Sequence, residues 1–375
     1  MSPDETITSD VGVLLVNLGT PEAPDTASVR KYLAEFLSDP RVVEIPAPIW
    51  KPVLHGVILR TRPAKSAKAY REIWTNQGSP LMAISIRQRD ALQDRFGGTV
   101  CVGLAMRYGK ASIGYALSKM FDHGFKRILI APLYPQYCAA TTASAFDAAF
   151  AELEKMRSQP AIRTLPPYFE DPLYVGALKA GIERQLAALD FAPDRLLLSF
   201  HGMPERTRTL GDPYYDQCHA TAKLLGEQLA VPVEIAFQSR FGRARWLQPA
   251  TEDVLAQYPA QGIKRVAIAT PGFSADCLET IEELGIRGRE QFLGAGGTHF
   301  ARLDERIDAF GSIEFVPAME AGAEQDLKRS AESVLVNLRG AVEPEVDVDI
   351  KARSDKQRNG WITERSAGVH LGREL

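Results

Sequence analysis

The sequence predicts an α/β protein of two similar halves, each a doubly wound parallel sheet, that face each other across a central cleft. Two observations predict this fold: an internal repeat, and an alternation of short apolar runs with amphipathic segments of helix length. The repeated runs are almost continuously apolar, as expected for parallel strands covered on both faces. Three segments recur in the same order: LVNLGTPE at 15–22 and LSFHGMPE at 198–205, RYG at 107–109 and RFG at 240–242, and GFKRILIAP at 124–132 and GIKRVAIAT at 262–270.

Strands and helices alternate along both halves. The predicted strands Val11–Leu18, Leu196–Phe200 and Val266–Ala269 are separated by helical segments such as Ser112–His123 and Asp216–Leu229, which carry apolar residues at i, i+3 and i+4. Units of this kind join parallel strands by right-handed crossovers. Because ligands of such sheets bind beyond the carboxyl ends of the strands, we expect the functional residues directly after each strand.

The repeat also predicts the domain boundaries. We expect the first half at 1–165 and the second half at 166–318. The first half has about fifty extra residues, at about 30–78. Residues 319–340 contain a predicted helix that packs back on the first half. Residues 341–375 are acidic, then polar and basic, without periodicity, and we expect a disordered tail.

The extra residues of the first half contain an apolar segment with basic neighbours. Ile49–Arg62 includes Trp50 and is flanked by Lys51, Arg60 and Arg62. One interpretation is a core helix with a basic end. The other is a lip that touches an apolar ligand or a membrane surface, where Trp and basic residues favour the interface.

Composition excludes several classes of protein. The chain has 375 residues, 45% of them hydrophobic and 24% charged, and a formal net charge of −3, so no basic field points to nucleic acid. No apolar run reaches the roughly 18 residues of a spanning helix. The N-terminus MSPDETITSD lacks the pattern of a secretory signal. The four cysteines form no CxxC and are typical of reduced thiols in the cytoplasm.

His201 is the first candidate for chemistry. It directly follows the predicted strand Leu196–Phe200 and precedes Gly202, at the edge of the sheet where ligands bind. A neutral imidazole there can bind a metal or accept a proton. The plainer interpretation is a histidine satisfied by hydrogen bonds, but its place in the repeat, where the first half has Leu18, favours function.

A row of carboxylates is the second candidate. If Ser274 caps a helix, Asp276, Glu279 and Glu283 follow at i, i+3 and i+7 on one face. Such a row is either a solvated helix face or a path that binds a cation and accepts protons. A histidine with carboxylates suits Fe²⁺ or another divalent first-row metal, and no zinc motif such as HExxH is present.

Aromatic and basic residues also follow predicted strands. Individually these aromatics are typical of a core, but together at a cleft edge they would stack on a flat conjugated ligand. The basic residues would pair with carboxylates of that ligand. The glycine-rich stretch 294–297 is a weak nucleotide signal, and we expect neither NAD nor ATP. The aromatics are Tyr134, Tyr137, Phe273 and Trp246, and the basic residues are Arg60, Arg62, Lys65 and Arg107.

These residues lie in blocks that resemble the ferrochelatase family over residues 11–338. The resemblance implies two flavodoxin-like, Rossmann-like halves of chelatase type around a porphyrin cleft. It also implies a lyase of haem biosynthesis that inserts Fe²⁺ into protoporphyrin IX, giving protohaem and two protons. The matching blocks are LLVNLGTPE, REIWTNQGSPL, MRYG, APLYPQY with TT, SFHGMPER, FQSRFGRARWLQP and GFSADCLETIEE.

The resemblance also assigns roles. His201 and Glu279 resemble the pair that binds metal and removes pyrrole protons, and Asp276 and Glu283 resemble the rest of an acidic path from solvent. Cys277 stands where many animal members have histidine. The tail has no cysteine, so we expect no [2Fe–2S] cluster and no prosthetic group. Residues implied at the porphyrin are Tyr134, Phe273, Trp246 and Arg107, and Ser79 as a propionate contact.

Two other functions stay open at this point. One is a chelatase of the same fold that inserts Co²⁺ or Ni²⁺, because metal preference is poorly encoded in two ligands. The other is a non-catalytic tetrapyrrole carrier, which would need no carboxylate row to carry protons away. For the chelatase we expect protoporphyrin rather than a more carboxylated precursor, a cytoplasmic location, and transient contact with the inner membrane or a haem-pathway enzyme.

Overall fold

The computed structural model describes residues 10–96, 100–240, 242 and 244–304, and within them two four-stranded parallel sheets. The sheet orders, β2-β1-β3-β4 and β6-β5-β7-β8, are the same in both halves. The predicted α/β fold of two similar parallel sheets is confirmed. The strands are β1 (Val11–Gly19), β2 (Cys101–Tyr108), β3 (Arg127–Pro132), β4 (Ala161–Thr164), β5 (Arg195–His201), β6 (Val233–Gln238), β7 (Arg265–Ala269) and β8 (His299–Arg302).

Helices connect the strands and cover the sheets. Three π-helices, at Leu54–Ile58, Ala139–Ala143 and Glu279–Gly288, interrupt or precede the α-helices of the described residues. The α-helices are α1 (Thr26–Phe36), α2 (Ala47–Val53), α3 (Leu59–Ile73), α4 (Pro80–Phe96), α5 (Ile113–Asp122), α6 (Ser144–Leu153), α7 (Pro172–Ala187), α8 (Glu205–Thr209), α9 (Tyr214–Gly226), α10 (Thr251–Gln257) and α11 (Arg289–Gly294).

The central strands explain the continuous apolar runs of the sequence. Val13 and Leu15 of β1 point to one face of the first sheet, and Leu14 and Val16 point to the other; all four are fully buried. The second pair packs on α5 and α6. Because both faces are covered, every position of the strand favours an apolar residue.

The inner faces of the two sheets share one core. Leu15 of the first sheet and Leu198 of the second belong to the same buried cluster, together with Leu92 of α4, Val175 of α7 and Leu225 of α9. The helices between the sheets therefore bury apolar surface against both halves at once, and the two halves pack as one body around their common core.

The lip is a helical arm that packs on α1 through one face. Pro63 of α3 has no N–H, so the carbonyl of Leu59 lacks its helical partner. The Nε of Arg30 on α1 donates to that carbonyl at 3.0 Å. Trp50 of α2 donates from its indole N–H to the carbonyl of Leu37 at 2.6 Å. Two side-chain bonds thus attach the arm to the body of the first half.

The other face of the lip is exposed and apolar. Ile45, Ile49, Val53 and Val57 follow one another at intervals of four residues and are 46%, 64%, 42% and 55% exposed. The arm thus has a buried face, as a core helix would, and an exposed apolar face; its contact with a ligand or a membrane stays a prediction.

The structure leaves the predicted C-terminal elements and the domain boundaries untested. The helix expected within residues 319–340 and the tail at 341–375 lie outside the described residues. The boundaries at 165 and 318 stay predictions. Within the described part of the chain, no helix combines the length and the apolar character needed to cross a bilayer.

Candidate active site

The turn after β5 places His201 at the mouth of the second sheet. Gly202 donates its backbone N–H to the carbonyl of Gln238 at 2.8 Å. A β-carbon at position 202 would lie 2.4 Å from that carbonyl oxygen and 3.4 Å from the Trp246 ring. Only glycine lets the two backbones approach this closely. The Gly that follows the histidine in the sequence is therefore explained by the sharp turn of the chain.

His201 itself is half-buried between an aromatic ring and a carboxylate. The ring of Phe273 meets its imidazole edge to face, with centroids 6.4 Å apart and an interplanar angle of 70°. Burial lowers the pKa of His201, and the negative charge of Glu279 opposes this shift in part. With the pKa below its ordinary value, the imidazole is neutral at pH 7 and can accept a proton or bind a cation.

Glu279 is the first residue of the π-helix Glu279–Gly288. The expected α-helix capped by Ser274 is wrong. Ser274 is buried, and its carbonyl accepts a 2.6 Å hydrogen bond from Gln88 of α4, so the chain from 274 to 277 is held as an irregular segment. The three carboxylates therefore do not share one α-helical face. π-Helical turns are rare in proteins, and those that do occur often lie at functional sites.

The other two carboxylates have different protein partners. Asp276 accepts hydrogen bonds from Arg302 at 2.6 Å and from the Thr280 hydroxyl at 2.7 Å. Glu283 accepts from both the backbone N–H and the hydroxyl of Ser239, each at 2.7 Å. Burial raises the pKa of Asp276 and of Glu283, although these donors oppose the shift.

The first half contributes two tyrosines that sequence reasoning missed. Tyr32 of α1 and Tyr70 of α3 are buried, and burial raises their pKa well above the usual range, with a further rise from the Glu279 carboxylate. Glu279 therefore lies at the boundary between the halves. A tyrosine on the apolar stripe of a helix is typical of a core residue, so the sequence contains no signal that would have found them.

Ser79 lies close to these tyrosines. It is buried directly before α4 and accepts a 2.9 Å hydrogen bond from the Thr20 hydroxyl. Thr20 also hydrogen-bonds to Tyr70, which lowers the pKa of that phenol slightly against the effect of burial. Ser79, expected at a ligand carboxylate, thus joins a chain of hydroxyl groups on the first-half wall near Glu279.

Arg107 is held inside the first half. Its guanidinium forms an ion pair with Asp39 at 2.5 Å and donates to the Ser144 hydroxyl at 2.6 Å. The Tyr108 hydroxyl donates to the same carboxylate at 2.8 Å. The pKa of Asp39 stays below its usual value because these donors outweigh the burial that would raise it. Contact between Arg107 and a ligand stays a prediction.

The remaining predicted residues lie at several places. The Tyr134 hydroxyl is buried and has no hydrogen-bond partner among the described residues. Tyr137 lies at the seam between the halves, where its backbone N–H donates to Gln217 at 2.6 Å. Arg60 is exposed on the lip, and burial lowers the pKa of half-buried Arg62.

Cysteines contribute no preformed metal site to this region. All four are free thiols, and Cys277 is buried against Leu81 and Met106. Burial raises its pKa well above the usual range, and the adjacent Glu279 raises it further. Among the described residues, no three histidine, cysteine or acidic side chains are grouped as a ligand set.

The fold and the site define a class of protein: a two-sheet parallel α/β protein with a neutral histidine facing a carboxylate at the strand ends. A family model described as Ferrochelatase matches residues 10–315. The chain is 52% identical to a ferrochelatase of Methylibium petroleiphilum over 77% of this chain and 81% of that protein. It is 48% identical to one of Azoarcus sp. over 84% of this chain and 89% of that protein. The chain therefore belongs to the ferrochelatase family.

The chain also superposes on solved structures of other proteins. The structure of SirB from Bacillus subtilis with Fe³⁺ superposes with a TM-score of 0.48 at 14% identity, and covers 92% of this chain and 98% of that one. The structure of CbiX superposes with a TM-score of 0.42 at 18% identity, over 86% of this chain and 98% of that one.

Proposed function

We propose that this protein inserts Fe²⁺ into protoporphyrin IX, forming protohaem and releasing two protons, as a lyase of haem biosynthesis. The observation that carries the proposal is the pair of His201, at the end of β5, and Glu279, at the start of the π-helix that follows β7. Burial lowers the pKa of the histidine, so the imidazole is free to take a pyrrole proton, and the carboxylate beside it can receive positive charge.

His201 and Glu279 carry out the first step, which is removal of the pyrrole protons. Insertion must remove two N–H protons from the ring and strip water from the metal. His201 accepts protons from the pyrrole nitrogens or helps to deliver the metal, and Glu279 stabilises the charge that develops. Glu283 follows four residues later on the π-helix, and its raised pKa makes it an acceptor for the next transfer towards solvent. Asp276, the third carboxylate implied by the resemblance, is instead bound by Arg302 and Thr280.

The macrocycle would lie between the two walls of the cleft. Phe273 and Trp246 flank the turn that carries His201. Tyr134, whose hydroxyl has no hydrogen-bond partner in the described part of the chain, and Ser79 belong to the opposite half. Aromatic faces on both sides of a flat ring would hold it in a bent shape that exposes its nitrogen lone pairs, so that binding energy lowers the barrier to insertion.

The experiment is anaerobic incubation of the purified protein with Fe²⁺ and protoporphyrin IX, followed by loss of porphyrin fluorescence and growth of haem absorbance. His201→Ala and Glu279→Ala should each lower kcat by about 100-fold or more. His123→Ala, at an exposed position after α5, is the matched control and should leave turnover unchanged. Near-normal turnover in His201→Ala would contradict the assignment.

The same assay separates the two alternatives. Insertion of Co²⁺ or Ni²⁺ but not Fe²⁺ would identify a chelatase with another metal. Tight porphyrin binding without insertion of any of the three metals would identify a carrier.

We propose also that the lip contacts an anionic lipid surface, so that the protein is cytoplasmic and peripheral to the inner membrane. The support is the exposed stripe Ile45, Ile49, Val53 and Val57, whose arm also carries exposed Lys51. Burial of such side chains in a lipid interface, with basic residues near the headgroups, favours binding.

Co-sedimentation with phosphatidylglycerol vesicles tests the lip proposal. The double variant Ile49→Asp, Val57→Asp should bind at least about 100-fold more weakly, since each side chain contributes about 1.5 kcal/mol or more when buried and about 1.4 kcal/mol is a factor of ten. Ile86→Asp is the control, because Ile86 is 38% exposed on α4, which lies outside the lip segment. Absence of vesicle binding by the parent protein would contradict the proposal and leave a pathway enzyme as the alternative partner.

A further inference from the structure

We propose that Arg302 and Asp276 act as a clamp that positions Glu279 for insertion, and that Asp276 is therefore a positioning residue and not a carrier of protons or metal. The inference rests on the proposed function for its activity test. Its geometric basis is a chain of contacts from the edge strand β8, through Asp276, to the first turn of the π-helix that begins with Glu279.

The first link joins β8 to the irregular segment before the π-helix. Arg302, the last residue of β8, donates to Asp276 Oδ1 at 2.6 Å, and the two side chains are only 16% and 10% exposed. Arg302 also pairs with Asp304. A charge-assisted bond between groups this well shielded from water fixes the geometry more firmly than a surface pair.

The second link joins Asp276 to the helix. The hydroxyl of Thr280, a fully buried residue, donates to the same oxygen of Asp276 at 2.7 Å. The Thr280 oxygen in turn accepts the backbone N–H of Cys277 at 3.0 Å. Thr280 is the residue next to Glu279, so these bonds fix the backbone on which the Glu279 side chain is mounted.

The helix itself leaves room for the clamp. A β-carbon at position 285 would lie 3.1 Å from Cδ and 3.2 Å from Nε of Arg302. The arginine side chain therefore lies against the π-helix at Gly285, where a larger residue would push it away. Arg302 and Thr280 both donate hydrogen bonds to Oδ1 of Asp276. Because these bonds fix the carboxylate in place, it is poorly placed to relay a proton or cation.

The test uses the full chain and two ways of breaking the clamp. Arg302→Ala leaves a buried carboxylate without its partner and is expected to destabilise the protein. The double variant Arg302→Ala, Asp276→Asn removes both charges and keeps an oxygen at position 276 that can accept from Thr280. We expect both variants to lower kcat for Fe²⁺ insertion about tenfold, because a small displacement of a catalytic group is enough for a loss of this size.

Three measurements distinguish a positioning role of the clamp from a merely structural one. With the clamp broken, kcat should fall while porphyrin affinity, measured by fluorescence titration, stays within twofold. Hydrogen exchange of the backbone amides at 279–284 should become faster. Arg265→Ala is the control, since it removes a 2.7 Å ion pair with Asp194 at the amino end of β7, and it should change stability without changing kcat.

The outcomes separate this inference from the proposed function. Insertion by the parent protein with unchanged kcat in the double variant would overturn the clamp alone. Equal losses of porphyrin affinity and kcat would also overturn it, since a displaced Glu279 should affect only the chemical step. If the parent protein inserts no metal, the proposed function fails, and unchanged exchange at 279–284 in the double variant would then overturn the clamp on its own.

Discussion

The ion pair between Arg107 and Asp39 offers a quantitative test of the packing of the first half. Four donors converge on the Asp39 carboxylate: Arg107 at 2.5 Å, Ser144 at 2.6 Å, Tyr108 at 2.8 Å and the backbone N–H of Arg41 at 2.8 Å. An asparagine amide in its place has one accepting oxygen and an NH2 group that can only donate. Asp39→Asn therefore turns at least one hydrogen bond into a contact between two donors and leaves the arginine without its anion.

The magnitude follows from these contacts. Removing one partner of a fully buried pair costs about 3–5 kcal/mol. Because the Arg107 side chain is 19% exposed, water screens part of this loss, and we expect Asp39→Asn to lower the free energy of unfolding by about 3 kcal/mol at pH 7. Urea unfolding followed by circular dichroism measures the change. Asp147→Asn is the control; its pair with Arg41 is about half exposed, so it should cost about 0.5 kcal/mol or less.

The pH dependence tests the same reasoning. The pKa of Asp39 is lowered in the folded protein, so the ionised carboxylate stabilises the fold above its ordinary pKa of about 3.9, and this stabilisation is lost as the pH falls through the lowered value. The difference between the parent and Asp39→Asn should therefore be full at pH 7 and shrink below about pH 4. A variant within about 0.5 kcal/mol of the parent at pH 7 would refute the reasoning.

Three other perturbations test the lip, the turn after β5 and the histidine. Arg30→Ala should lower the free energy of unfolding by about 1 kcal/mol and speed amide exchange in the lip. Adding Pro63→Ala should recover part of this stability, because residue 63 then has a backbone N–H for the Leu59 carbonyl. No recovery would contradict this account. Gly202→Ala should cost about 2 kcal/mol or more, since its β-carbon would lie 2.4 Å from the Gln238 oxygen, and an equally stable variant would show that the turn relaxes. The acid limb of kcat/KM for insertion should lie below about 6.5, the ordinary pKa of histidine, because burial lowers the pKa of His201; a limb above that value would contradict it.

Much of the fold and one part of the site were predictable from the sequence because they depend on local pattern. Strands buried on both faces have continuous apolar runs in the sequence, and β1 and β5 show this pattern along nearly their whole length. Parallel strands bring their carboxyl ends to one edge, so the residue after a strand faces the cleft whatever the details of packing. That rule was enough to single out His201.

The sequence by itself determined two parallel α/β halves, their family and the histidine at a strand end. Only the tertiary structure decided which charges meet, because Asp39 and Ser144 are 105 residues apart, and Gln88 and Ser274 are 186 apart. It also replaced the expected α-helix by a π-helix that starts at Glu279. The spacing of carboxylates predicts a shared face only for a regular helix, whereas long-range hydrogen bonds donated by Arg302 and Gln88 hold this segment in another shape.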